Sequence, residues 1–204
     1  MKIILSLFFC ILLTGCAAII RDAPDISFNK VTYVEKKELY LLYGSYKTVH
    51  IIRDEKMRYY LIELESRSNL FDFEESNGLS FSPVFNFCDK NEKVSSMGLL
   101  GIYPKDVTDN NFENGEALSH ISNSFVVIAN ASTSEYAPTS SIQFDLTKSP
   151  NDICLSLRGS SMAFTFETNK VRVNSEQLEE ARKRRTTDTI VDTHNFIDAN
   201  PLYR

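Results

Sequence analysis

The chain has 204 residues, of which 43% are hydrophobic and 24% charged, with a formal net charge of −5. That length suits one domain with a tail. The acidic balance argues against nucleic acid as a partner, because binding phosphates needs a basic surface.

The first residues set a compartment. Lys2 supplies one positive charge, and residues 3–13 form an apolar run whose only polar member is Ser6. A membrane-crossing helix needs about 20 apolar residues, whereas a secretory signal uses roughly 7–15. The run ends in Leu13-Thr14-Gly15-Cys16. These four residues resemble the lipobox of bacterial lipoproteins, in which a leucine and two small residues precede the cysteine that accepts diacylglycerol. The resemblance implies a signal peptide over 1–15, a mature chain beginning at a lipidated and N-acylated Cys16, and a membrane partner through that anchor. More than one acyl chain makes such an anchor stable, at about 0.8 kcal/mol per buried methylene. Ala17, rather than Asp, after the cysteine implies the outer membrane, with the domain facing the periplasm in preference to the cell surface. Lys2 is the only charge in 1–15, so the mature chain sets 21 Lys+Arg against 27 Asp+Glu, a net of −6.

Residues 16–27 read as the lipidated terminus and a tether, and residues 28–174 as a β domain. Residues 38–43 and 46–53 form two strand-like runs around Gly44-Ser45, a two-residue hairpin signal in which Gly takes a positive φ. After a turn at 54–56, residues 57–65 read as a strand, with Ile62 and Leu64 alternating with Glu63 and Glu65. Further strands are expected at 79–87, where Pro83 marks an edge or bend, and at 97–103, 125–129 and 142–146.

A second Gly-Ser hairpin is expected at Gly159-Ser160, joining strands 153–158 and 161–166. It sets Leu157 against Met162, Leu155 against Phe164 and Ile153 against Phe166. A further turn near Thr168-Asn169 then brings Val171 opposite Phe166, Val173 opposite Phe164 and Lys170 opposite Glu167. Eight to ten strands separated by turn signals predict an all-β, mainly antiparallel fold, a β sandwich or barrel-like. Residues 175–185 read as one short C-terminal helix with its acids first and bases last, as the helix dipole prefers. Leu178 and Ala181 are its only apolar residues. Residues 186–204 form a polar tail with apolar points at Ile190-Val191 and Phe196-Ile197.

Cys10 leaves with the signal and Cys16 carries lipid. Cys88 and Cys154 remain in an oxidising compartment, which predicts a disulfide, the other reading being two buried thiols. The bridge would close roughly 67 residues and stabilise by about 4 kcal/mol on the chain-entropy model.

No catalytic, cofactor or metal residue is expected. His50, His120 and His194 share no short spacing. Asp109, Asn111 and Glu113 fall on the first, third and fifth positions of a calcium loop, but Asn114 and His120 stand where it needs Gly and Glu. Gly159 to Ala163 lacks the second Gly of a nucleophile elbow, and Ser27-Phe28-Asn29-Lys30 has S-x-x-K spacing without its companion motifs. Glu63/Glu65 and Glu74/Glu75 could serve as carboxylate pairs, though such pairs carry little information. The run from Arg182 to Arg185 suits either lipid phosphates or a helix C-terminus. Tyr40, Tyr43, Tyr46, Tyr59 and Tyr60 suit either a recognition face or half-buried strands.

A small acidic β domain on a lipid anchor, without a catalytic signature, points to protein binding. In size, lipobox and cysteine-paired β character it resembles the periplasmic immunity lipoproteins of type VI secretion systems. That resemblance implies a toxin as partner and, for the acidic 106–116 segment, a basic partner surface. The alternatives are a structural or assembly lipoprotein of an envelope machine such as a secretion system or pilus, a surface adhesin, or an envelope enzyme.

Overall fold

The computed structural model describes residues 24–36, 38–39, 57–90, 92–94, 97–98, 102–104, 123–135, 137–161 and 165–188. In β1 (Ile26–Glu35) the apolar residues Ile26, Phe28, Val31 and Tyr33 are not evenly spaced. A regular strand would send the second pair to the opposite face. A register shift between Phe28 and Lys30 absorbs Asn29 as an extra residue, so all four side chains meet one core. β1 pairs antiparallel with β2 (Arg58–Ser66), β2 with β6 (Ser124–Asn130), and β6 with β5 (Tyr103–Pro104), giving the sheet order β1-β2-β6-β5.

The second sheet runs β4 (Glu92–Lys93), β3 (Ser80–Phe87), β7 (Ile153–Ser160), β8 (Thr165–Glu167), with β9 (Val171–Val173) also on β7, all antiparallel. The fold is therefore a mainly antiparallel β sandwich. Its core takes Tyr60, Ile62 and Leu64 from β2 and Phe125, Val127 and Ala129 from β6. Phe81, Phe85 and Phe87 of β3 and Ile153, Leu155 and Leu157 of β7 face them from the other sheet. The first sheet is also buried on part of its other face. There Val34, Tyr59, Leu61, Tyr103, Val126 and Ile128 pack with Leu39 and Met57. Burial on both faces explains why β6 is a continuous apolar run instead of an alternating one. The outer face of β2 turns polar at Glu63 and Glu65, as the sequence pattern predicts.

The register expected at Gly159-Ser160 is overturned. β7 runs straight through both residues, with Arg158 opposite Glu167, Gly159 opposite Phe166 and Ser160 opposite Thr165. Ile153 and Leu155 face Val173 and Val171, not Phe166 and Phe164. No turn occurs at Thr168-Asn169. β8 and β9 form one return path along β7 with a one-residue shift between them, where the Thr168 hydroxyl accepts the Leu157 N–H at 2.9 Å. Glu167 meets Arg158 at 3.2 Å instead of Lys170. The reason lies in the glycine. The Phe166 ring lies across Gly159, where a Cβ would stand 2.6 Å from it. Gly159 makes room for a ring and does not make a turn.

Other expectations shift. Residues 142–146 do not form a strand. Asp145 makes one isolated bridge to Ser132, and its carboxylate accepts the Thr147 N–H at 3.0 Å, turning the chain. Of the strand expected at 97–103, the described residues include a bridge between Gly98 and Ala129 and the start of β5 at Tyr103, and residues 99–101 lie outside the described residues. Pro83 sits inside β3, opposite Leu157. Phe85 turns its carbonyl to Val94, away from β7, so by alternation the nitrogen of Pro83 also points away from β7 and its missing N–H breaks no bond of that pair. The Gly44-Ser45 hairpin and residues 189–204 lie outside the described residues.

Among the described residues, a helix precedes β3 that was not expected, besides the C-terminal one that was. α1 (Leu70–Asn77) is bounded by Asn69, whose side chain accepts the Phe71 and Asp72 N–H groups, and by Gly78 at φ 58°. α2 (Ser175–Asp188) matches the predicted C-terminal helix and runs three residues further. Leu178 and Ala181 are enough to dock it, since both are buried in the core beside β1. Cys88 and Cys154 form a disulfide between neighbouring strand segments, with Cα atoms 5.0 Å apart.

Candidate functional site: the free edge of the first strand

Hydrogen-bond direction alternates along a strand, so each residue of an edge strand faces either its neighbour or open space. In β2, Arg58 accepts the Ala131 N–H and Ser66 donates to Asn123, each at 2.8 Å, so the even-numbered residues face β6. The odd residues Tyr59, Leu61 and Glu63 therefore face β1, where their partners are Val34, Thr32 and Lys30. It follows that Ile26 and Phe28 before the bulge, and Val31, Tyr33 and Glu35 after it, turn their backbone groups outward.

Both ends of this outward row are closed. The Asn169 side chain bonds the N–H and the C=O of Ile26, each at 2.7 Å. The Glu38 carboxylate accepts the Glu35 N–H at 2.6 Å. Between these caps, the N–H and C=O groups of Val31 and Tyr33 have no hydrogen-bond partner among the described residues. α2 runs alongside and forms the other wall of a groove of about 410 Å³. The groove is lined by residues 30–34 of β1, Glu38, and Ala181, Arg184 and Arg185. The three helix residues share one face, being spaced by three and four. A second groove of about 460 Å³ lies at the start of β1, beside Asp25, Arg67 and Asn169. There the Ile26 backbone groups are already bonded.

Charge is arranged unevenly around the first groove. Arg185 lies 3.2 Å from Glu35 and 3.0 Å from Glu38, with its side chain 17% exposed, and its guanidinium stands 5.8 Å from the centre of the Tyr33 ring. Arg58 reaches Glu35 at 3.1 Å. Tyr33 packs on Tyr60 at 5.1 Å between ring centres. Burial raises the pKa of the Tyr33 hydroxyl against the opposing pull of Arg58, Arg185 and Arg182, so it keeps its proton. Arg184 meets only the exposed Glu180 of its own helix, at 3.4 Å. Lys30 is exposed and has no ion-pair partner among the described residues. The lining holds Lys30, Arg184 and Arg185 against Glu38, while Glu35 and Glu180 just outside it engage Arg185 and Arg184, so Lys30 is the lining cation without a carboxylate among the described residues.

The other candidates are dispersed. Tyr59 and Tyr60 are 1% and 0% exposed, so they belong to the core and not to a recognition face. Arg182 and Lys183 pair with Glu179, and Arg184 with Glu180, which is the arrangement of a helix end balancing its own charge. Glu65 accepts from Asn29 at 3.0 Å. Glu74 accepts the Phe81 N–H at 3.1 Å, and burial raises its pKa. Among the described residues no three His, Cys, Asp or Glu side chains gather as a metal site would require. Cys16, His50, His120, His194, Tyr40, Tyr43, Tyr46 and the acidic 106–116 segment lie outside the described residues.

Sequence reasoning did not single out the β1 edge. The signal available was the interrupted apolar spacing at 26, 28, 31 and 33, which marks a bulged strand. No family model matches the chain, and neither a curated protein nor a solved structure is similar enough to be matched to it.

Proposed function

We propose that this chain is a lipid-anchored protein of the cell envelope that works by binding a partner protein, in the manner of an immunity lipoprotein that occludes a toxin. The observation that carries this reading is the stretch of β1 that is open among the described residues, in a groove beside α2. Main-chain donors and acceptors left unpaired next to a rigid helix wall form a surface suited to another polypeptide. The lipobox at residues 13–16 supports the anchor, and the Cys88–Cys154 pair fits an oxidising compartment.

The test is to recover the tagged full-length protein from its parent bacterium in mild detergent and identify co-purifying proteins by mass spectrometry. One dominant stoichiometric partner is expected, and Cys16→Ser should move the protein out of the membrane fraction. A set of envelope-machine subunits would instead assign an assembly role. Recovery of nothing above background would overturn the binding reading.

A further inference from the structure

We infer that the partner docks by strand addition: an extended, acidic segment pairs with the Val31–Tyr33 edge of β1, with α2 as the second wall. This rests on the protein-binding reading above and adds the mode and chemistry of recognition.

An exposed strand edge is a template for another chain, and proteins usually blunt it. β1 is blunted on either side of the open stretch, by the Asn169 clamp on Ile26, the bulge at Asn29 and the Glu38 cap on Glu35. Between these, the outward groups of Val31 and Tyr33 have no partner among the described residues. Val31 and Tyr33 are two residues apart, about 7 Å along a strand, the repeat at which an added strand makes its paired hydrogen bonds. A short open stretch admits a few residues of a partner and discourages indefinite sheet growth. The charge of the groove selects the partner. Glu35 and Glu38 already neutralise Arg185, whereas Arg184 is held only by a weak exposed pair with Glu180, which leaves Lys30, with Arg184 able to exchange its partner, to receive a carboxylate from the incoming segment. The partner of this groove is therefore acidic, the opposite of what the 106–116 segment suggests.

The test uses the full-length protein in detergent and a display library of short random peptides. In the free protein, amide-resolved hydrogen exchange should find Val31 and Tyr33 fast and their neighbours Thr32 and Val34 protected by β2. Selected peptides should carry Asp or Glu, and their binding should protect Val31 and Tyr33. Val31→Pro removes an outward N–H and a buried valine side chain, and breaks no hydrogen bond of the β1–β2 ladder. It should weaken binding by about tenfold, the effect of one lost main-chain hydrogen bond with its steric penalty. Should that variant not fold, Lys30→Glu with Arg184→Glu makes the same test at exposed positions and should abolish the preference for acidic peptides.

Enrichment of no peptide, or of peptides that leave Val31 and Tyr33 unprotected, overturns strand addition. So does protection of the two amides in the free monomer, which would give the edge to the chain's own remaining residues. Protection that appears only with concentration-dependent dimerisation would give it to a second copy, with the same consequence. Capture of a cellular partner that persists in Val31→Pro would sink strand addition and leave the protein-binding reading standing. Failure of the wild-type protein to capture any partner would remove that reading.

Discussion

Asp152 ties three parts of the molecule together. Its carboxylate accepts the Ser175 N–H at 2.7 Å, closing the start of α2, and also receives the Arg172 guanidinium from β9, with Nε at 2.8 Å. Its backbone carbonyl accepts the Cys88 N–H at 3.1 Å. The Ser175 N–H first, and then Arg172, hold its carboxyl below the ordinary carboxylate range. A depressed folded-state pKa contributes stability that is present above the unfolded value and lost as pH falls through the folded one. Asp152→Ala should therefore cost about 1 kcal/mol near neutrality, the usual worth of a helix cap. It should also flatten the loss of stability below about pH 4, which urea unfolding across a pH series would measure. Gly159 offers a steric test of the corrected register. Gly159→Ala should cost roughly 1–3 kcal/mol by pushing the Phe166 ring off β7. Combining it with Phe166→Ala should recover part of that loss in a double-mutant cycle. Simple additivity would place the ring elsewhere.

Among the elements, α1 and α2 were unequally legible for a local reason. α2 announces itself by a run of strong helix formers with graded charge. α1 is eight residues long and aromatic, and its evidence is confined to Asn69 and Gly78 at its ends. The β3–β7 pair shows what a crosslink adds to an existing ladder. Cys88 and Cys154 sit beside strands already paired along their whole length, so the bridge acts mainly on the unfolded chain. Cys88→Ser or Cys154→Ser should lower stability by about 4 kcal/mol on the chain-entropy model while leaving the far-ultraviolet circular dichroism unchanged. A lost β signal would mean that the bridge also determines the strand pairing.

On the scale of the whole molecule, the sandwich closes one side of the first sheet with the second sheet and α2, and part of the other side with Leu39 and Met57. α2 therefore serves both the core, through Leu178 and Ala181, and the groove, through Arg184 and Arg185. Recognition through Lys30 and Arg184, both exposed, makes binding sensitive to screening. Raising salt from about 0.05 M to 0.5 M should slow association with an acidic partner more than it speeds dissociation, which surface plasmon resonance on a selected acidic peptide would resolve. Salt-independent association would remove Lys30 and Arg184 from the contact.

The sequence by itself determined the antiparallel β class, the positions of β2, β3, β6 and β7, the C-terminal helix and the cysteine pair. These rest on alternation, capping and composition, which are properties of neighbouring residues. It misjudged Gly159-Ser160, because a glycine that admits a distant ring looks the same in a sequence as a glycine that makes a turn. Only the tertiary structure decided that the first sheet is covered on both faces and that β1 is its edge. It also decided that, among the described residues, the outward hydrogen-bonding groups of Val31 and Tyr33 have no partner beside α2. Whether a strand's second row of hydrogen bonds finds a partner depends on where the rest of the chain passes, and no local pattern of side chains records that.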